Sequence, residues 1–416
     1  MKSAAGIPLR FFYAALKIPG TLHYLQKLLI SATGRFSDAI INNGYAQLLL
    51  IFQKKTVRQR APKYHPPRKS SFYLDLNEKV GVYFKNGRSR GASGLMVFKI
   101  ILFLVLFVFC YVHYIHPGQT YASWFGWCMA MGVASMLVGL NIGHDAAHHS
   151  ISRKKWLNSV AAYSFDLIGV SSYVWHLKHN LLHHNYPNVI GVDTDIEASP
   201  ILRLSPADRI RSFHRFQHLY APLVYTLFSL NLLLVNDLAM LFRIRREDID
   251  GKKHPRYIVP GIAALKLANI AYMLVIPIWV LPFEWWHILI GFLFMHATLS
   301  LLLAFVLLPA HLFESTAYCS KDDGEIPEDW AAHQVRTTLD FSPDSRIMNF
   351  LLGGFNTNVV HHLFPRICHC YYKDLTQIVK SVAAEHDLPY HETSLAGSIK
   401  QHFKALKILG TQKTNV

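Results

Sequence analysis

Charge is scarce in this chain. Only 16% of its 416 residues are Asp, Glu, Lys or Arg, against about a quarter in soluble domains. Hydrophobic residues make up 51%. The shortage is concentrated, since no Asp, Glu, Lys or Arg occurs from Ile100 to His144. Length alone would allow two or three soluble domains, but this distribution argues for a chain built into a membrane. Acids are scarcer than bases, 26 against 42, leaving a net charge of +16. Cysteine is scarce too. Cys110, Cys128, Cys319, Cys368 and Cys370 form no disulfide framework, which fits a reducing compartment. Cys368-His369-Cys370 is half of a zinc-binding pattern with no second half. No secretory signal is expected, because Met1-Lys2 leads into an apolar stretch broken by Arg10 and Lys17.

The apolar residues fall into blocks. Residues 97–115 and 123–142 are separated only by His-Pro-Gly-Gln-Thr, and 258–281 and 286–310 by Pro-Phe-Glu-Trp. Each block is close to the roughly 20 residues that cross a bilayer core. The expected architecture is an all-α integral membrane protein with four spans in two hairpins. Neither connector carries Lys or Arg, so both face outward and the remainder faces the cytoplasm. Lys266, inside the third block, is expected to snorkel to the cytoplasmic surface. The weaker apolar stretches at 160–175 and 219–235 read as amphipathic helices on the membrane or over the core. A helix through 72–90 leads into the first span.

Residues 1–70 read as an extension, 71–400 as the membrane domain and 401–416 as a tail. Within the extension, 1–52 suit an interfacial helix. Residues 53–69 hold seven basic residues, three prolines and no acid, the composition of a cationic linker that can meet anionic headgroups. Nucleic acid is not an expected partner, because the basic residues follow the membrane topology and no nucleic-acid motif is present.

Histidine is plentiful, with 24 residues. Three clusters lie beside the apolar blocks: His144-Asp-Ala-Ala-His148-His149, His179-Asn-Leu-Leu-His183-His184, and Asn358-Val-Val-His361-His362. The expected topology puts all three on one membrane face, with His311 at the end of the fourth span. Imidazole is the commonest protein ligand of transition metals, and it suits iron, zinc, copper and nickel. A single His-x-x-x-His pair means little, and His214 with His218 is read as packing. The repeated pattern supplies more imidazoles than one tetrahedral ion needs, which points to two ions. His144 with His148, and His179 with His183, share a helix face at a spacing of four. His184 should turn about 100° away, and the adjacent His361 and His362 should diverge toward different ions. Asp145, Asp193 and Asp195 are candidates to hold the other ring nitrogens, and Asn358 is grouped with them.

The order HDAAHH, HNLLHH and NVVHHLFP resembles the membrane fatty-acid desaturases. It is most similar to the front-end acyl desaturases and their bacterial acyl-CoA or linoleoyl-CoA relatives. The likeness extends through WHLKHNLLHHNYPNVIGVDTDI at 175–196, FHRFQHLYA at 213–221, HQVRTT at 333–338 and GGFNTNVVHHLFPRICHCYY at 353–372, and covers about 75–400. It implies four spans under a helical cytoplasmic cap, in a bacterial cell membrane, with a non-haem di-iron centre. The implied iron ligands are His144, His148, His179, His183, His184, His311, His361 and His362. His149 ranks behind them, because the family commonly has a small residue there. The implied reaction is O2-dependent desaturation of a long-chain acyl-CoA or acyl-lipid. Two electrons would come from a separate ferredoxin, or from cytochrome b5 with its reductase. Trp175, Tyr173 and Phe355 are candidates for the wall of an acyl tunnel.

The chain departs from the front-end pattern at Asn358 (commonly Gln), Leu308 (Gln) and Val360 (Glu). These departures bear on reaction outcome more than on metal binding. They keep a related di-iron hydroxylase, acetylenase or sphingolipid-modifying enzyme in view. A membrane zinc hydrolase is a weaker rival, because the histidines exceed its needs and the clusters offer no evident acidic base. A non-catalytic scaffold is disfavoured by the cost of polar clusters beside a membrane.

Overall fold

A computed structural model describes residues 62–412, apart from 66–69, 86–89, 92, 198, 200 and 245. The interfacial helix expected in 1–52, and most of the cationic linker, lie outside the described residues.

Four helices are long and apolar enough to cross a membrane: Gly94–Tyr114, Tyr121–Ala147, Ile258–Val280 and Trp285–Leu307. The first starts where Ser93 accepts a hydrogen bond from the Met96 amide, and the second where Thr120 does the same for Ser123. The second is the most enclosed, with 67% of its apolar window buried against 28% for the first and third. It is therefore the central helix, packed between the first and the fourth. Gly132 allows the close approach, since a Cβ there would press on the Met295 carbonyl of the fourth helix. Val97, Ile101, Val105 and Val108 leave an apolar face exposed on the first helix, as a lipid-facing helix requires.

The second helix runs past the expected end at 142 to Ala147, so the first histidine cluster stands on the helix itself. The stretch around 160–175 forms Lys155–Leu167, with Trp156, Val160, Tyr163 and Leu167 exposed at helical spacing. The stretch around 219–235 lies in a broken pair, Ser212–Tyr225 and Phe228–Arg243, bent by 71°. Counted as one span, this pair would bring the total to five.

Lys266 does not snorkel. Its buried ammonium donates to the Asp237 carboxylate at 2.8 Å and to the carbonyls of Gly169 and Leu232 at 3.1 and 2.8 Å. A lysine inside an apolar block needs either a route to water or a buried partner, and Asp237 is that partner, 29 residues away.

The expected tail is also structured. Helix Leu395–Thr411 buries Ala405, Leu406 and Leu409 along one stripe. His402 within it meets the Leu312 carbonyl at 2.9 Å and the Tyr225 hydroxyl at 2.8 Å. The end of the expected linker docks as well. Lys63–Tyr64 pairs in parallel with Glu325–Ile326, and Tyr64 stacks on Tyr186.

The chain is mainly helical but not strictly all-α. Val189–Ile190 pairs with Cys319–Ser320, and Leu339–Phe341 with His391–Thr393, both in parallel. These short ladders satisfy backbone groups; the first ties the segment after the second cluster to the one after His311, and the other ties the strand beside the third cluster to the segment before helix Leu395–Thr411.

Candidate metal centre

The first cluster lies on the last turns of the central membrane helix. A π-helical turn at Gly139–Gly143 leads directly into His144–Ala147. His144 and His148 are one turn apart with ring centres at 4.8 Å. The chain then reverses at His149, whose φ is 58°. The His149 ring is exposed, outside the cluster. Asp145 lies 3.9 Å from His144 Nδ1, beyond hydrogen-bond range. Its carboxylate meets His369 Nδ1 at 2.8 Å, and His369 Nε2 meets the Lys99 ammonium at 2.6 Å. Asp145 thus links the central helix to the first membrane helix through His369.

The second cluster occupies a π-helical segment, His176–His183. The wider turn brings residues five apart onto one face. The His184 amide donates to the His179 carbonyl at 2.9 Å, and their Nε2 atoms are 3.1 Å apart. An α-helix would set His184 about 140° around from His179, whereas here it shares that face; from its neighbour His183 it diverges as expected, with ring planes 80° apart. His183 Nδ1 meets the Asp193 carboxylate at 3.0 Å. Asp193 also receives the amides of Asn188 and Asp195 at 2.8 and 2.9 Å, which fixes its position. Asp195 faces the Lys178 ammonium at 2.7 Å and lies 3.7 Å from His183 Nδ1.

The third cluster is the short helix Asn358–Leu363, which follows Gly353 and Gly354 at φ 61° and 79°. His361 and His362 diverge, their ring planes 84° apart. His362 Nδ1 meets Gln334 Oε1 at 2.9 Å. His311 lies in the turn after the fourth membrane helix. Its Nδ1 donates to the Thr337 carbonyl at 3.2 Å, while Asn358 Nδ2 is 2.9 Å from its Nε2.

These segments converge into two groups joined by a third. His144, His148, His179 and His361 form one, and His183, His311 and His362 the other. His184 joins His361 and His362 in a third set that bridges them. Facing Nε2 atoms are 3.3 Å apart between His144 and His179, and between His183 and His311. The eight histidines with implied metal roles thus meet in one place, with His149 outside.

The donor set fits metal ions. Nε2 of His148, His361 and His362 is buried and has no hydrogen-bond partner, an arrangement that is costly unless a ligand occupies it. Burial, and then mutual repulsion, pushes His148, His179, His184, His361 and His362 well below the usual histidine range. The same causes take His311 to about 3. Neutral imidazole is the form that binds a metal. Burial also opposes charge on His183, but the Asp193 carboxylate outweighs it and raises that group. Imidazole donors suit iron, zinc, copper and nickel rather than magnesium or calcium.

Phe355 lies 4.3 Å from His144 and Trp175 4.7 Å from His179, ring centre to ring centre. Both flank the cluster. Tyr173 does not, because its hydroxyl is engaged by His254 and Arg246 at 2.8 and 3.1 Å. Gln334, His369 and Lys99 were not singled out from sequence as supports of the cluster. Gln334 and His369 did lie inside the quoted motifs.

Residues 119–394 match the family model described as fatty acid desaturase. An sn-1 linoleoyl-lipid 6-desaturase of Arthrospira platensis is 32% identical over 81% of this chain and 92% of its own length. Its namesake in Synechocystis is 28% identical over 82% and 96%. Acyl-lipid (8-3)-desaturase B of Dictyostelium discoideum is 30% identical over 84% and 77%. With the histidine clusters and membrane helices, these matches establish that the chain belongs to the fatty acid desaturase family, enzymes that place double bonds in fatty acyl chains.

Proposed function

We propose that this enzyme introduces a double bond into a long-chain acyl group carried on a membrane lipid, at a pair of iron ions held by the eight histidines. The observation that carries the reading is the convergence of eight imidazoles, seven buried and His311 half-buried, in two groups bridged by His184. His144, His148, His179 and His361 would hold one ion and His183, His311 and His362 the other, with His184 between them. Bound iron would supply the activation of O2 that no side chain can provide. The balance is one O2, two electrons and two protons consumed, and two waters formed as –CH2–CH2– becomes –CH=CH–. Asp193, Gln334 and the Thr337 carbonyl orient ring nitrogens, while Trp175 and Phe355 keep one side of the site dry.

The proposed topology has two hairpins, with the connectors outside and the histidines under a helical cap on the cytoplasmic face. The absence of Lys and Arg from both connectors supports it. The net charge of +16 supports an acidic, separate electron donor, a ferredoxin or cytochrome b5. The relatives named for acting on acyl lipids support a lipid-borne substrate.

The test is a fatty-acid profile by gas chromatography and mass spectrometry. The host expresses the chain with a compatible donor, beside a His183→Ala control, and iron is measured on the purified protein. A new unsaturated acid made only by the intact chain, with about two irons per chain, is the expected result. A hydroxy acid in its place would move the assignment to a hydroxylase. A folded protein that binds no iron would overturn the di-iron reading.

A further inference from the structure

A cavity of about 510 Å³ opens beside the first histidine cluster. Its wall includes Lys85, Arg90, Arg153, Arg366, His149 and Ser152, and no acidic residue. The four cations come from four separate places in the chain. Lys85 ends the helix Ser71–Phe84, and Arg90 precedes the first membrane helix. Arg153 follows the first histidine cluster, and Arg366 the third. None pairs with a carboxylate among the described residues. Arg90 is fixed in place: its carbonyl accepts from the Cys368 amide at 2.9 Å, and its guanidinium lies over the Phe84 ring. Four like charges around one concavity repel each other unless an anion sits among them. Arginines are suited to phosphate, which they can grip with two parallel hydrogen bonds.

The location favours a lipid. Arg90 and Gly91 stand just before the start of a membrane helix at Gly94. Arg153 stands just before Lys155–Leu167, whose exposed face carries Trp156, Val160 and Tyr163, the mark of a helix lying at headgroup level. The pocket is also close in chain terms to the centre. His149 follows His148, and Arg366 lies shortly after His362. A headgroup held there would bring the carboxyl end of its acyl chain to the histidines, not the methyl end.

We propose that this pocket binds the phosphate of the glycerophospholipid that carries the acyl substrate. The assignment rests on the desaturase reading above and names its substrate class. Acyl-CoA shares the phosphate chemistry but would approach from water.

The experiment uses the full chain in nanodiscs, as wild type, as Arg153→Gln/Arg366→Gln and as Lys85→Gln. Binding of phosphatidylglycerol and of free CoA is measured by native mass spectrometry. KM is measured separately for the acyl substrate and for the electron donor. The double variant should bind phosphatidylglycerol about tenfold more weakly and raise the acyl-substrate KM by a similar factor, with kcat and iron content retained. Lys85→Gln should show a smaller shift in the same direction. Unchanged phosphatidylglycerol binding would overturn the proposal. So would a loss confined to CoA, or a rise confined to the donor KM, which would make the patch a donor-docking surface. If the intact chain makes no unsaturated product but the variants still lose phosphatidylglycerol, the desaturase reading fails while the phosphate pocket stands.

Discussion

Gln334 holds His362 by a single hydrogen bond across 28 residues of sequence. Its carbonyl oxygen fixes which ring nitrogen of His362 faces the other histidines. Gln334→Ala should lower bound iron or activity about 10–100-fold, the usual cost of removing a group that orients a metal ligand. Metal analysis beside turnover would check this, and normal iron with normal activity would exclude it. Asp193 is more deeply tied in, because it holds His183 and two backbone amides at once. Asp193→Ala should therefore lower both iron content and thermal stability, while Asp193→Asn should preserve more of the stability than of the iron. At this scale the converging histidines were readable in advance because they come as short repeated patterns with fixed spacing. Their supports were not. His369 reaches Asp145 across 224 residues and Lys99 reaches His369 across 270, and no local pattern records such pairs.

At the scale of elements, the second cluster depends on a wider helical turn. A spacing of five leaves His179 and His184 about 140° apart on an α-helix, so the sequence, read with that period, related His184 only to its neighbour His183. The first and third clusters meet through a glycine. Gly353 has φ 61°, and a Cβ there would strike the Leu140 carbonyl in the turn before His144. Gly353→Ala should cost about 1–3 kcal/mol from the left-handed backbone alone, with the clash added. It should lower the melting temperature in detergent, and an unchanged melting curve would contradict the close approach. The boundaries of the four membrane helices were legible to within a few residues because apolar blocks and turn residues mark them. The bend between Ser212–Tyr225 and Phe228–Arg243 was not, because only tertiary packing distinguishes it from a continuous amphipathic helix.

Across the whole molecule, two buried carboxylates test how the parts are joined. Lys266→Met should leave Asp237 charged and unpaired, at a cost of about 3–5 kcal/mol. Adding Asp237→Asn should recover much of that loss in a thermal unfolding assay, and a double variant no better than the single one would refute a simple ion pair. Asp340 lies where the strand Leu339–Phe341 meets the third cluster, accepting from the Val359 amide at 2.8 Å and from Tyr390. Burial raises its carboxyl from 3.8 to about 7 despite these bonds. A pKa raised on folding stabilises fully below the unfolded value, so this contribution is complete below about pH 4 and lost as pH rises through about 7. Asp340→Asn should flatten that decline, which melting temperatures measured between pH 4 and 8 would reveal.

The final helix sets an order of events during synthesis. Histidines from 144 to 362 surround the centre, but His402, which braces the Leu312 carbonyl just beyond His311, comes from the later helix Leu395–Thr411. A nascent chain can insert all four membrane helices before this brace exists. The histidines would then wait, incompletely held, until helix Leu395–Thr411 has emerged and docked. Metal loading should therefore follow the docking of this helix, and chains stopped before residue 395 should reach the membrane yet recover little iron.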